Sequence, residues 1–356
     1  MTMDAAIWRV YRSLGEAYTD TLEAERIAAL LAEFVPEVVP RLSVGSGIRD
    51  RTGIEEVIQK IKTVKKDRQT LAHLISLPAV AQRSEEWYNL RKERLTASDA
   101  SKALVMNRER DRLVRNKAFP DQAPFIDTAP TRWGKVFEPM ALRVYCARNA
   151  QVVVHDFGLI PHPTLSCFGA SPDGITATGI MVEIKCPYSR EIKPGYIPDY
   201  YEIQMQGQMA VCNLSTCDYI ECKLIRHDNE AQFAAAARRC KYPEDYGVVI
   251  LDNNENALEY SPANLTPTEC IEWKNNRSPS WMWTLGLIQV QRVIFDPSRW
   301  DAMVPMFEQF WADVVALRAA GPAAATSIAT ATMTTRSVGA KDKAKKVVEF
   351  IDSDDD

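Results

Sequence analysis

Residues 168–187 read FGASPDGITATGIMVEIKCP. Ser171-Pro172-Asp173-Gly174 is turn chemistry, because proline presets its φ angle and glycine tolerates positive φ. Residues 165–170 ahead of it are mostly apolar or small. Residues 180–186 after it have strand composition, and Pro187 ends that run. Two strands flanking a turn would bring three ionisable groups together. Asp173 stands at the turn. Glu183 and Lys185 are two apart on the second strand, so they share a face with Met181, while Val182, Ile184 and Cys186 make the opposite, apolar face.

Two carboxylates and a lysine converging at a sheet edge suit hydrolysis of a phosphodiester. The carboxylates offer hard oxygen ligands to Mg²⁺, which keeps several waters and binds phosphate oxygens. The lysine can position or activate a water, or neutralise charge building up on the phosphate. The same residues also describe a surface hairpin carrying an ordinary Glu–Lys pair, and the local pattern alone does not choose between the two.

The neighbouring segments add to it. Upstream stand Trp87, Arg91 and the run Thr96-Ala97-Ser98, then Gly134, Glu138, Ala141 and Tyr145. Downstream is Tyr201 with Gln204 and Gln206. This ordered set, W…R…TAS, G…E…A…Y, SPDG, ExKCP and YxxQxQ, resembles the lambda-exonuclease-like, or YqaJ-type, viral recombinase nucleases. They are a branch of the PD-(D/E)xK superfamily. The resemblance runs over residues 84–318 and rests on five motifs in order.

It implies an α/β, restriction-endonuclease-like core: a mixed central sheet flanked by helices, here with a helical N-terminal extension. It implies a Mg²⁺-dependent exonuclease, with Mn²⁺ able to substitute, that degrades one strand of duplex DNA from the 5′ end and leaves a 3′ single strand. Asp173, Glu183 and the Ile184 carbonyl would be metal ligands, with Glu138 at a second metal. Lys185 would orient or activate water, helped by Gln204. Arg91, Ser98 and Ser171 would hold the 5′ phosphate. Double-stranded DNA is then the substrate and a single-strand annealing protein a further partner. The assembly is either a monomer or a homotrimer. Two alternatives stay open: an endonuclease on the same fold, and a non-catalytic DNA-binding scaffold.

Composition sets bounds. The 356 residues are 46% hydrophobic, enough for one large or two ordinary domains. No apolar run approaches the length of a membrane span, and Asp4 and Arg9 stand where a signal peptide needs an apolar stretch. The expectation is a soluble, intracellular protein without membrane attachment, at the site of viral or phage DNA replication in host nucleus or cytoplasm. A net charge of −4 argues against an all-over basic surface, so DNA would meet a local basic groove. Cys212, Cys217 and Cys222 are five apart, which is not a zinc spacing, and the 8 cysteines read as reduced, packed thiols.

In chain order, residues 1–80 read as a helical extension, with Ile7, Tyr11 and Leu14 and then Ile27, Leu30, Leu31 and Phe34 at helical spacing. Gly45-Ser46-Gly47 lacks the ending of a phosphate-binding loop. A third helix over 54–77 carries Lys60, Lys62, Lys65, Lys66 and Arg68, a solvated face or a DNA contact. Ser84 and Ser98 read as helix caps and Trp87 as a core anchor. Residues 107–130 read as polar and irregular. A helix over 134–150 carries Glu138 off its apolar stripe. Another over 197–213 puts Gln204 and Gln208 on one face, with Gln206 structural. Strands follow over 216–225 and 281–296, and an amphipathic helix over 297–318 carries Trp300, Met303, Phe307, Phe310 and Val314. The domain is bounded at 81–320. Residues 321–356 read as a disordered tail, in which 347–351 is a candidate docking motif.

Overall fold

A computed structural model of the chain describes residues 51–78, 80–122, 127–149, 152–254 and 257–322. The readings made on residues 1–50 and on 323–356 lie outside the described residues. The elements, in order, are α1 (Arg51–Ser76), α2 (Glu85–Lys92), β1 (Leu95–Thr96), α3 (Ala100–Leu104), α4 (Arg108–Ala118) and α5 (Ala129–Arg148). Then come β2 (Val154–His155), β3 (Ile160–Pro161), β4 (Phe168–Ala170), β5 (Gly174–Thr176), β6 (Met181–Lys185), α6 (Asp199–Cys212) and β7 (Thr216–His227). The last are α7 (Glu230–Ala237), β8 (Tyr246–Leu251), β9 (Ala257–Tyr260), α8 (Pro267–Lys274), β10 (Ser280–Ile294) and α9 (Pro297–Ala320).

Two sheets organise these elements. The larger has seven strands in the order β2-β5-β6-β7-β10-β8-β9, the smaller three in the order β1-β4-β3. Both are mixed: β6 pairs parallel with β7 and β1 with β4, and the other pairings are antiparallel. A parallel pair needs a crossover, which α6 supplies between β6 and β7. This is the mixed α/β class the sequence implies.

Alternation along β6 sorts its side chains between two helical layers. Val182 and Ile184 join Trp133, Val136, Phe137 and Met140 of α5 in one cluster. Met181, on the other face, joins Ile203, Met205 and Met209 of α6 with the apolar row of α9. That row is Trp300, Met303, Phe307, Phe310 and Val314, all buried as the spacing requires.

Three local readings need correction. Ser171 to Gly174 is not the tip of a hairpin. It carries the chain from β4 in the small sheet to β5 in the large one, and the hairpin partner of β6 is β5. Gly174 is therefore required by close approach, not by a left-handed φ: a Cβ there would sit 2.3 Å from Cγ1 of Val154 on β2. The hairpin glycine is Gly179, at φ +85, pressed against Asp67 of α1. Second, the segment after Asn107 is a helix. The Asn107 side chain accepts from the N–H groups of Glu109 and Arg110, and Leu113, Val114 and Ala118 turn inward. Arg110, only 3% exposed, is paired at 2.7 Å with Asp313 of α9. Third, Trp87 is only half-buried, and α2 has no buried residue among its eight.

Helix α1 falls within the expected extension, yet it is joined to the rest. Leu71 and Leu74 enter the cluster of α6 and α9, Ile61 is fully buried, and Asp67 accepts a 3.0 Å hydrogen bond from the Ser215 hydroxyl at the start of β7. Lys60, Lys62 and Lys66 stay exposed. A chain beginning at Gln82 is expected to lose on the order of 5 kcal/mol from those three apolar side chains, seen as a lower urea midpoint. An unchanged midpoint would make α1 a detachable accessory.

Candidate active site

The centre of the site is Glu183, on the face of β6 that meets α6 and fully buried. A buried carboxylate needs hydrogen-bond donors, and three converge on it. Gln204 donates to Oε1 at 2.6 Å and Gln208 to Oε2 at 2.7 Å. These glutamines are one helical turn apart on α6. Lys185 Nζ closes a short ion pair with Oε1 and lies 4.7 Å from the centre of the Tyr201 ring. Gln208 Oε1 has no partner among the described residues.

Asp173 reaches the same place from the crossover between the sheets. Its Oδ2 accepts the main-chain N–H of Ile184 at 2.7 Å. Burial pushes its carboxyl well above the usual range, and Glu183 and Glu138 push it further. Glu138 arrives from the opposite layer, on α5, with Arg83 at 4.0 Å. Burial raises its pKa; Arg83 opposes this, while Glu183 adds to it. Burial works against the Lys185 ammonium, but Glu183 and Asp173 outweigh it and hold its pKa above the ordinary value.

Two buried carboxylates, Asp173 and Glu138, whose pKa values are raised by burial and by the charge of Glu183, describe a place where positive charge is wanted. Among the described residues, no three of His, Cys, Asp and Glu form a ready-made metal cage. Mg²⁺ does not need one, since it is commonly held by one or two carboxylates and retains waters for exchange with phosphate oxygens. Asp173 and Glu183 with a main-chain carbonyl fit that ion.

A second cluster lies against the first. Arg91, on α2, stacks 4.4 Å over the Trp87 ring and reaches Ser98 Oγ at 3.4 Å. The Trp87 indole N–H donates to Ser171 Oγ at 3.0 Å. Trp87 thus lies under both Arg91 and Ser171, and sequence reasoning missed this role. Ser98 does not cap α3. It lies in a short 3₁₀ turn and hydrogen-bonds with Thr96 at 3.1 Å. Lys117 donates to the Arg91 carbonyl at 2.8 Å. Burial lowers its ammonium to about 8; Asp99 opposes this, and Arg91, Lys102 and Arg318 reinforce it. Crowded cations around one carboxylate, Asp99, suit an anionic ligand. Ser171 and Asp173 are two residues apart, so their Cα atoms are separated by at most about 7.6 Å. Gln82 fastens this stretch by donating to the carbonyls of Phe157 at 2.8 Å and Pro172 at 3.3 Å.

The remaining motif residues are scaffold. The Tyr145 hydroxyl donates to Asp218 at 2.7 Å, and Arg292 clamps the same carboxylate with two bonds of 2.7 and 3.0 Å. Gln206 donates to the Ile294 carbonyl and accepts from Asp296 N–H, tying α6 to the end of β10. All eight cysteines are free, and five are buried. Among the described residues, no helix is long and apolar enough to cross a membrane.

Residues 86–216 match the family model of the YqaJ-like viral recombinase domain, a span that holds every residue of the two clusters except Arg83, Gln82 and Arg318. An uncharacterized protein of Acanthamoeba polyphaga mimivirus is 25% identical, over 66% of this chain and 52% of the relative. The chain spans about half the length of that curated relative. Among solved structures, an alkaline exonuclease from Laribacter hongkongensis, solved also in complex with dAMP, is 22% identical with a TM-score of 0.44, covering 65% of this chain and 93% of that one. A phage-related exonuclease from Haemophilus somnus is 12% identical with a TM-score of 0.39, covering 63% and 95%.

Proposed function

We propose that this chain, whose residues 86–216 match the model of the YqaJ-like viral recombinase domain, is a Mg²⁺-dependent DNA exonuclease that acts on duplex DNA from the 5′ end. What carries the reading is one juxtaposition. A buried carboxylate held by Lys185, Gln204 and Gln208 lies beside Asp173, and two residues from Asp173 stands a serine of the cationic cradle.

Asp173, Glu183 and the Ile184 carbonyl would hold Mg²⁺, with Glu138 at a second ion. When bound, the metal would supply Lewis-acid polarisation of the phosphodiester and a more acidic water. Gln204 and Gln208 fix the Glu183 rotamer from one face of α6, so its oxygens are aimed before substrate arrives. Lys185, paired with Glu183, would orient or activate water or donate a hydrogen bond to phosphate. Arg91, Ser98 and Ser171 would take the terminal phosphate, with Lys117 adding charge behind Arg91. The remaining 3′ strand is the product that a single-strand annealing protein would receive.

A terminal phosphate carries more charge than an internal diester and offers one more oxygen, which such a cradle can use. Linear duplex with 5′-phosphate ends is expected to be degraded faster than 5′-hydroxyl duplex, by roughly tenfold or more if the cradle is worth over about 1.4 kcal/mol. Arg91→Ala should erase most of that preference and leave the Mg²⁺ requirement, and closed circular DNA should survive. Rapid nicking of the circle, or equal rates on both ends, would make the protein an endonuclease.

A further inference from the structure

Residues 186–198 join β6 to α6 and run on into its first turn at Tyr200 and Tyr201; of this stretch only Tyr201, against Lys185, enters the reading above. Three of its tyrosines face water: Tyr188, 50% exposed and edge-on to Trp133, and Tyr196 and Tyr200, 41% and 46% exposed. They are not carried on a free loop. Ile192, in the same stretch, is buried. Gln289 and Gln291, from β10, donate to the carbonyls of Lys193 at 3.4 Å and Tyr196 at 3.2 Å. Arg190 pairs closely with Glu221, which is fully buried and accepts from Gln289 at 2.6 Å.

Cations and ring faces alternate along this surface, starting at the reaction centre. Lys185 lies 4.7 Å from the Tyr201 ring centre and Arg190 lies 5.9 Å from it. The Tyr200 ring is 4.3 Å from Tyr201, and Lys193 lies 5.6 Å from the Tyr196 ring. Asp199 and Glu202, the acids nearest Tyr200 in sequence, are neutralised by Arg299 at 2.5 and 2.9 Å. Burial pushes the Tyr200 hydroxyl up to about 12, helped by Tyr201, so it stays neutral near phosphate.

Exposed rings on a fixed base, interleaved with cations, are the chemistry that stacks unpaired bases and follows a phosphate backbone. We propose that Tyr196, Tyr200 and Lys193 form a stacking platform for single-stranded DNA beside the reaction centre. The choice of DNA rests on the proposed nuclease activity, which would generate an unpaired strand there. The stacking itself does not depend on cleavage.

The full chain in EDTA is titrated against a fluorescent oligothymidylate of about 20 nucleotides with a 5′-hydroxyl, and anisotropy is read. Tyr196→Ala with Tyr200→Ala should weaken binding by roughly tenfold or more, whereas Tyr196→Phe with Tyr200→Phe should bind like the parent. Blunt duplex should change less than about threefold in either pair, because paired bases offer no free ring faces. Lys193→Glu gives a second measure if the alanine pair does not fold, with tenfold weakening again expected. The platform is overturned if the parent does not bind the oligonucleotide, if the alanine pair or Lys193→Glu binds as well as the parent, or if the phenylalanine pair loses as much as the alanine pair. EDTA keeps the two readings apart. Binding that follows the tyrosines with no cleavage in Mg²⁺ refutes only the nuclease, and cleavage without such binding refutes only the platform.

Discussion

Replacing Lys185 with alanine is expected to lower the single-turnover rate of duplex cleavage in Mg²⁺ by about 10³-fold, with DNA affinity in EDTA changed by less than about tenfold. The ammonium is held between Glu183 and Asp173, with 22% of its side chain exposed. It is placed to act on charge that grows as the phosphodiester is attacked, so its removal weakens the transition state more than the ground state. Folding should survive, because Glu183 keeps the amides of Gln204 and Gln208. A urea midpoint close to that of the parent would confirm that the lost rate is chemical. Parent-like rates in this variant would remove Lys185 from the reaction.

Glu183→Gln is expected to cost a comparable factor in rate for a different reason. Glutamine keeps the shape of the side chain, and one new N–H₂ group must face a former donor. Gln208 can answer by turning its amide, since its Oε1 has no partner among the described residues. Lys185 cannot answer in that way, but it can share the oxygen that remains. The substitution therefore removes a charge with little loss of packing. The Mg²⁺ concentration for half-maximal cleavage should rise along with the fall in rate. Glu183→Ala is the contrasting case. It leaves three donors around an empty, dry space and should destabilise the fold by about 3–5 kcal/mol, which the glutamine variant should not. A glutamine variant that cleaves at the parent rate in limiting Mg²⁺ would show that Glu183 is not a ligand.

The parts of this architecture that could be read from the sequence are those set by local period. The alternation of 181–186 placed Glu183 and Lys185 on one face, and the four-residue spacing placed Gln204 beside Gln208. The row from Trp300 to Val314 named the buried face of α9. What could not be read depends on partners far along the chain. The segment around Pro172 looks like a hairpin tip because the pairing of β4 with β1, some seventy residues upstream, has no local signal. The four arginines and one lysine of 108–117 hid a helix whose short apolar stripe has meaning only against α9. Trp87 reads as core from its size alone, and only the structure shows one ring face committed to Arg91 and the indole N–H to Ser171. Gln208 was visible on the correct face, but nothing in the spacing says that it takes the second oxygen of Glu183.

The pairing of β7 also fixes the order in which the molecule can be made. Along its length β7 is flanked by β6 and by β10, and Thr216 at one end is matched with Ile294, 78 residues later. At ribosomal speeds that interval takes roughly 4–16 s. For most of it, from the completion of His227 until its match Met282 is made, a largely buried strand of twelve residues has one edge with no partner in the chain yet synthesised. The domain is then complete in every catalytic side chain discussed here, yet its sheet is still open. Yield in the cell should consequently be governed by the late-arriving strand, and substitutions in β10 should show first as aggregation of new chains rather than as altered cleavage.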